Sequence, residues 1–205
     1  MLDEHPRTFE TKSDWLRFHF GELADGAARL LAKLGLWPNT VTIIGVILAI
    51  IAGWFASQGT LVRAGVVLLV AGCFDALDGA LARVSKRVTR FGAFWDSMLD
   101  RYGEGVFLAG LGYWLAESGQ TLELMLVFAT LVGSLLVSYA RARADGIGLN
   151  IRTGFLQRPE RFVVMLVTLF SGQLTIGLAV MAVLANFTVA QRMLKAFQLT
   201  RDDPI

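Results

Sequence analysis

Between residues 40 and 197 the chain is a succession of apolar runs, with its charged residues gathered into the short stretches between them. A helix needs about 20 mostly apolar residues to cross the roughly 30 Å hydrocarbon core of a bilayer. Inside lipid every backbone N–H and C=O must be satisfied within the protein, so runs of this kind form helices. The pattern predicts an all-α integral membrane protein with six transmembrane helices, at 40–57, 61–82, 91–116, 122–140, 159–170 and 174–197. The run at 159–170 is short for a span, and the polar stretch before it is expected to lengthen it at its start. Hydrophobic residues make up 55% of the 205 and charged residues 18%, which excludes a soluble domain of ordinary composition. A net charge of +2 gives no footprint for nucleic acid.

The first ten residues, MLDEHPRTFE, are polar and acidic, unlike a secretory signal. Residues 14–36 read as an amphipathic helix lying in the membrane interface, with Trp15, Leu16, Phe18, Leu23, Ala27, Leu30, Leu31 and Leu34 roughly on one face. The expected organisation is a polar tail (1–13), this juxtamembrane helix (14–36), a six-helix catalytic domain (37–197) and a second tail (198–205). Pro38 and Asn39 break the juxtamembrane helix, and Asn39 is the expected cap of the first span. The single cysteine, Cys73, excludes an intrachain disulfide and a cysteine metal cluster, and His5 and His19 have no partner at a triad or metal spacing.

Small residues at Gly45, Ala49 and Gly53, and at Gly105 and Ala109, recur every four positions and mark expected close helix crossings. Lysine and arginine gather in 83–90, in 141–161 and in the tails, with Arg63 alone in the opposite loops. The positive-inside bias then puts both termini and both basic loops in the cytoplasm.

The chemistry is concentrated in residues 75–100, DALDGALARVSKRVTRFGAFWDSMLD. Asp75 and Asp78 are three apart on one predicted helix, and Asp96 and Asp100 four apart on the next, so each pair projects from one face. A short loop joins the two helices, and the hairpin is expected to bring four carboxylates to one depth. Ionised carboxylates repel and burial raises that cost, so divalent cations are the natural compensation. Oxygen ligands alone favour Mg²⁺ or Mn²⁺ over zinc. Two such ions would bind a pyrophosphate and stabilise a leaving phosphate, leaving one carboxylate as general base toward a hydroxyl. Gly79, Ala82 and Gly92 keep the backbone open on the aspartate faces, and Arg83 can reach phosphate oxygens. A structural network with Arg83, Arg90 and Arg101, or an ion or proton pathway in a transporter or scaffold, stays open as the alternative.

Asp75-x-x-Asp78-Gly79-x-x-Ala82-Arg83, followed after eight residues by Gly92-x-x-x-Asp96-x-x-x-Asp100, resembles the signature of the CDP-alcohol phosphotransferase family. The resemblance implies an interfacial helix before six spans, usually in a homodimer in the cytoplasmic membrane of a bacterium or archaeon, with the active site facing the cytoplasm. It implies that Asp75, Asp78, Asp96 and Asp100 lie at a site for Mg²⁺ or Mn²⁺, two ions in number, with Asp100 as the base. Asp75, Asp78, Gly79, Ala82 and Arg83 would line the CDP site, together with Asn39, Thr42 (or Thr40) and Thr89.

The donor implied is CDP-diacylglycerol, with CMP released. SYARARA at 138–144, QRPER at 157–161 and Arg192 are similar to the acceptor region of the phosphatidylinositol phosphate synthases within that family. This implies that Ser138, Arg141, Arg143, Arg158, Arg161 and Arg192 surround the phosphate of inositol 1-phosphate, and such positive charge suits a phosphorylated acceptor. Arg141 stands where those enzymes often carry lysine. Glycerol 3-phosphate would use similar arginines, and the same arginines could instead meet the headgroups of membrane lipids.

Overall fold

A computed structural model describes residues 24–201 of the chain. Punctuation in the sequence sets its seven helices. Helix α1 covers 24–33; then follow α2 (Pro38–Ser57), α3 (Leu61–Val84), α4 (Arg90–Glu117), α5 (Thr121–Gly146), α6 (Arg158–Ser171) and α7 (Leu174–Thr200). Proline begins α2, where its missing N–H costs nothing. The Trp37 carbonyl accepts from the N–H groups of Thr40 (3.0 Å) and Val41 (3.3 Å). Trp37 is therefore the cap residue, and Asn39, expected there, stands inside the first turn.

The expectation of six spans is corrected. Among the described residues four helices, α2, α3, α5 and α7, are long and apolar enough to cross a membrane, as in a multi-pass membrane protein. Helix α4 has the length but carries Asp96, Asp100 and Arg101 in its first half and Glu104 just past its middle, and each charge at membrane depth is costly. Helix α6 has 14 residues, about 21 Å of helix against a core of roughly 30 Å. The polar stretch before it does not lengthen it: α5 takes that stretch as far as Gly146, and 147–157 is not helical. Of the interfacial helix, residues 14–23, with Trp15, Leu16, Phe18 and Leu23, lie outside the described residues. In α1, Ala28 is fully buried, with Ala24, Leu31 and Ala32 packed beside it, whereas Leu30 and Leu34 are exposed.

The chain divides into two compact units, and the division falls within α2, α3 and α4. The first comprises residues up to 45 and 71–99; the second comprises 46–70 and the chain from 100 onward. In the first, Val41 of α2 and Ala80 and Leu81 of α3 pack with Ala28 of α1. In the second, Ala52, Ala56, Ala64, Phe107, Leu111, Leu115, Leu169 and Leu178 form the core, and α7 packs along α5 and α6. Ile47, Trp54, Val66, Phe128 and Val183 point outward. Lipid outside is as apolar as leucine inside, so close van der Waals packing has to hold such helices together. Gly53 and Gly110 supply a close backbone approach between α2 and α4. A Cβ on Gly53 would stand 3.0 Å from the Val106 carbonyl oxygen, and one on Gly110 would collide with the backbone of Gly53. A Cβ on Gly103 would stand 3.3 Å from the Ala49 methyl. The crossing thus uses Ala49 and Gly53 of α2 with Gly103 and Gly110 on α4, whereas Gly45 faces α3, where a Cβ would stand 3.6 Å from the Ala71 carbonyl oxygen. At Gly105, expected to mark it, a Cβ would meet only the Leu131 side chain, 4.0 Å away.

Candidate active site

In the first unit α3 ends in a tight turn. The Ser85 hydroxyl donates to the Leu81 carbonyl at 2.6 Å, the Arg87 N–H donates to the Ala82 carbonyl at 3.0 Å, and Lys86 takes a positive φ of 54°. The turn sends the chain back as α4 within six residues of Val84. Asp75, Asp78 and Asp96 consequently each offer an oxygen within 4.8 Å of the others. Asp78 is 6% exposed, and its Oδ2 is buried without a hydrogen-bond partner. Asp75, Asp96 and the Thr42 hydroxyl are the side chains that bear on it.

A buried carboxylate oxygen with no donor is costly to leave bare. With two further carboxylates in reach, the arrangement fits a divalent cation, and its all-oxygen donors fit Mg²⁺ or Mn²⁺. The three acids would hold that ion.

The residues expected around the nucleotide also belong to this unit. Thr42 is buried and donates to the Pro38 carbonyl at 3.1 Å. Thr89 caps α4, its hydroxyl accepting the Gly92 N–H at 2.9 Å; the sequence had marked it only for the nucleotide. A Cβ on Gly92 would crowd that hydroxyl at 2.9 Å and stand 3.5 Å from Asn39 Oδ1, so Asn39, Thr89 and Gly92 are brought together. The Arg83 guanidinium folds back to 3.5 Å from where a Gly79 Cβ would be. It is two-thirds exposed and within 4.0 Å of Asp25, a loose pair at the surface. Ala82 is half-buried on the same turn.

The fourth motif aspartate belongs to the second unit. The Arg158 guanidinium grips Asp100 with two bonds of 2.6 Å, Nη1 to Oδ2 and Nη2 to Oδ1, and Arg101 stands 3.5 Å away. The remaining arginines divide sharply. Arg161 is 3% exposed; it donates Nε and Nη2 to the Glu104 carboxylate at 3.3 and 3.4 Å and Nη1 to the Leu156 carbonyl at 3.5 Å. Arg192, also 3% exposed, donates Nε to the Thr153 carbonyl at 2.9 Å and Nη1 to the Val137 carbonyl. Arg143 is exposed, Arg141 and Ser138 half-buried, and among the described residues neither Arg141 nor Arg143 enters an ion pair. Arg141, Arg161 and Asp145 are the charged groups that bear on Arg192. Sequence reasoning did not single out Glu104, whose four-residue spacing from Asp100 puts it on the same helical face, one turn on.

The profile of the CDP-alcohol phosphatidyltransferase family matches residues 35–192. The chain belongs to that family. As a CDP-alcohol phosphatidyltransferase it is a metal-dependent enzyme, and the three clustered aspartates are the candidate centre. It is 35% identical over 169 residues to the archaetidylinositol phosphate synthase of Pyrococcus horikoshii, covering 82% of this chain and 87% of that one. The crystal structure of Mycobacterium tuberculosis phosphatidylinositol phosphate synthase with CDP-DAG bound superimposes with a TM-score of 0.78 at 32% identity, over 86% of this chain and 94% of that one. The structure of the same synthase with manganese and citrate gives 0.76 at 34%, over 83% and 87%.

Proposed function

We propose that this phosphatidyltransferase moves the phosphatidyl group of CDP-diacylglycerol onto the hydroxyl of inositol 1-phosphate, releasing CMP and forming phosphatidylinositol phosphate. The observation that carries the reading is the cluster of Asp75, Asp78 and Asp96 with a bare oxygen at its buried member. Similarity to synthases of inositol phosphate lipids, one of them with CDP-DAG bound, supports this donor and an inositol phosphate as the acceptor. Two divalent ions at the motif aspartates, when bound, would neutralise the pyrophosphate and ease the departure of CMP.

The chain's own residues do the rest. Gly79 and Ala82 leave the α3 backbone open to the nucleotide, and Arg83, Asn39, Thr42 and Thr89 meet its polar groups. Asp100 accepts the proton of the acceptor hydroxyl, whose oxygen attacks the phosphorus on the lipid side. Its Oδ1 and Oδ2 are held by Arg158, which turns the carboxylate and offers the acceptor phosphate a guanidinium. Arg141, Arg143 and Arg158 read that phosphate, with Ser138 alongside, while the buried Arg161 and Arg192 hold the backbone from which they work. The basic turn between α3 and α4, with Arg83, Lys86, Arg87 and Arg90, faces the cytoplasm by the positive-inside bias.

The test is CMP release by the purified protein with CDP-diacylglycerol and Mg²⁺, offered inositol 1-phosphate, glycerol 3-phosphate or free inositol. Release with inositol 1-phosphate alone is the expected result. Release with glycerol 3-phosphate alone would keep the transfer chemistry and overturn the acceptor.

A further inference from the structure

The stretch between α5 and α6 has no regular ladder, so each of its buried backbone groups needs a partner of its own. Helix α7 supplies two. Thr188, fully buried, donates its hydroxyl to the Leu184 carbonyl at 2.8 Å and with the same oxygen accepts the Leu156 N–H at 3.1 Å. Arg192, one turn on, donates to the Thr153 carbonyl at 2.9 Å. Between these two bonds runs Gly154, at a φ of 148°, against the threonine: a Cβ there would strike the Thr188 methyl. Leu156, itself buried, is followed by Gln157, the N-cap of α6, and then by Arg158, its first residue. Two residues of backbone therefore separate the atom that Thr188 holds from the arginine that grips Asp100.

We propose that Thr188 is a positioning residue for the phosphorylated acceptor. Its hydroxyl pins Leu156 to α7, and this fixes where the start of α6 presents Arg158. Gly154 is part of the same device, because only a residue without a Cβ lets the segment lie against Thr188. A guanidinium recognises phosphate by paired bonds of set direction, so a small shift of its helix terminus costs acceptor binding. The inference rests on the acceptor reading above.

The experiment compares Thr188→Val, which keeps the shape and removes the hydroxyl, with Thr188→Ser, which keeps the hydroxyl. CMP release is measured in the full chain while CDP-diacylglycerol and the acceptor are varied in turn. The expected result for Thr188→Val is an acceptor KM raised about tenfold, the size of one lost buried hydrogen bond, with the KM for CDP-diacylglycerol within about twofold. Thr188→Ser restores the acceptor KM. A purely structural threonine would lower the melting temperature and the yield of active enzyme and move neither KM.

An unchanged acceptor KM, or an equal rise in both KM values, overturns the proposal. Should Thr188→Val not fold, Gly154→Ala tests the same device from the other side, with the same split expected; a thermally destabilised Gly154→Ala with wild-type KM values would overturn it. Failure of the acceptor reading shows in the wild type, as CMP release with glycerol 3-phosphate in place of inositol 1-phosphate. The KM comparison is then made with that acceptor, and failure of the positioning role shows only in the variants.

Discussion

The aspartate cluster of the first unit and the arginine set of the second are both concentrations of one charge, and the protein treats them in opposite ways. Asp75, Asp78 and Asp96 converge to within 4.8 Å, with an oxygen of the buried Asp78 left bare. Of the arginines, the two most buried are committed: Arg161 to Glu104 and the Leu156 carbonyl, Arg192 to the carbonyls of Thr153 and Val137. Like charges brought together with a buried oxygen left without a donor call for an external counter-charge, whereas charges whose donors are already bonded to a carboxylate or to backbone serve the fold. A residue's sign and its place in a motif are thus weaker guides to its work than whether its hydrogen-bonding capacity is already used.

The sharpest break of this contrast is Asp78→Asn. CMP release should fall about a thousandfold, matching the several kcal/mol of charge stabilisation that a bound metal contributes. The metal-free protein should melt no lower, because the substitution removes a buried negative charge whose Oδ2 has no donor. A large loss of melting temperature would instead mark Asp78 as a structural acid.

Arg161→Ala comes next. It leaves Glu104 without its partner and should cost about 2 kcal/mol of stability, less than for a fully buried pair because Glu104 is partly exposed; thermal unfolding in detergent reads it. A rise in acceptor KM at unchanged melting temperature would return Arg161 to the residues that read phosphate. Arg143→Ala should do the reverse, raising the acceptor KM about fivefold, as for one charge-assisted contact at an exposed position, without moving the melting temperature.

The smallest effect belongs to Arg87, whose guanidinium lies 4.2 Å above the Trp37 ring in the first unit. Arg87→Ala should cost about 0.5 kcal/mol, as for an exposed cation–π pair, leaving CMP release near wild type. A loss of activity would show that Arg87, like Arg83, does more than pack.

Most of the helix limits were legible, because apolar runs and their punctuation are local. The run at 40–57 became Pro38–Ser57 and that at 174–197 became Leu174–Thr200. The number of spans was not legible in the same way. An apolar stretch nominates a span by local pattern alone, yet α4 carries Asp96, Asp100 and Arg101 in its first half and α6 is only 14 residues long.

The aspartates were legible because helical spacing alone puts Asp75 and Asp78 on one face, and a short turn returns Asp96 toward them. The close helix crossing was legible on one side only: Gly53 and Ala49 were expected, but Gly103 and Gly110 were not. A spacing of small residues nominates a face, and the partner helix decides which face is used. The division among the arginines was hidden altogether, since the carbonyls that occupy Arg161 and Arg192 are brought to them by the irregular segment at 147–157.

The most direct test of the central claim titrates Mn²⁺ into purified wild-type and Asp78→Asn protein, reading metal binding by paramagnetic resonance and CMP release in the same samples. Saturable binding by the wild type, lost in the variant, with CMP release abolished by chelation and restored by Mg²⁺ or Mn²⁺, is the expected result. CMP release that persists in chelator, or Mn²⁺ binding undiminished in Asp78→Asn, would contradict the assignment of these aspartates as the metal centre.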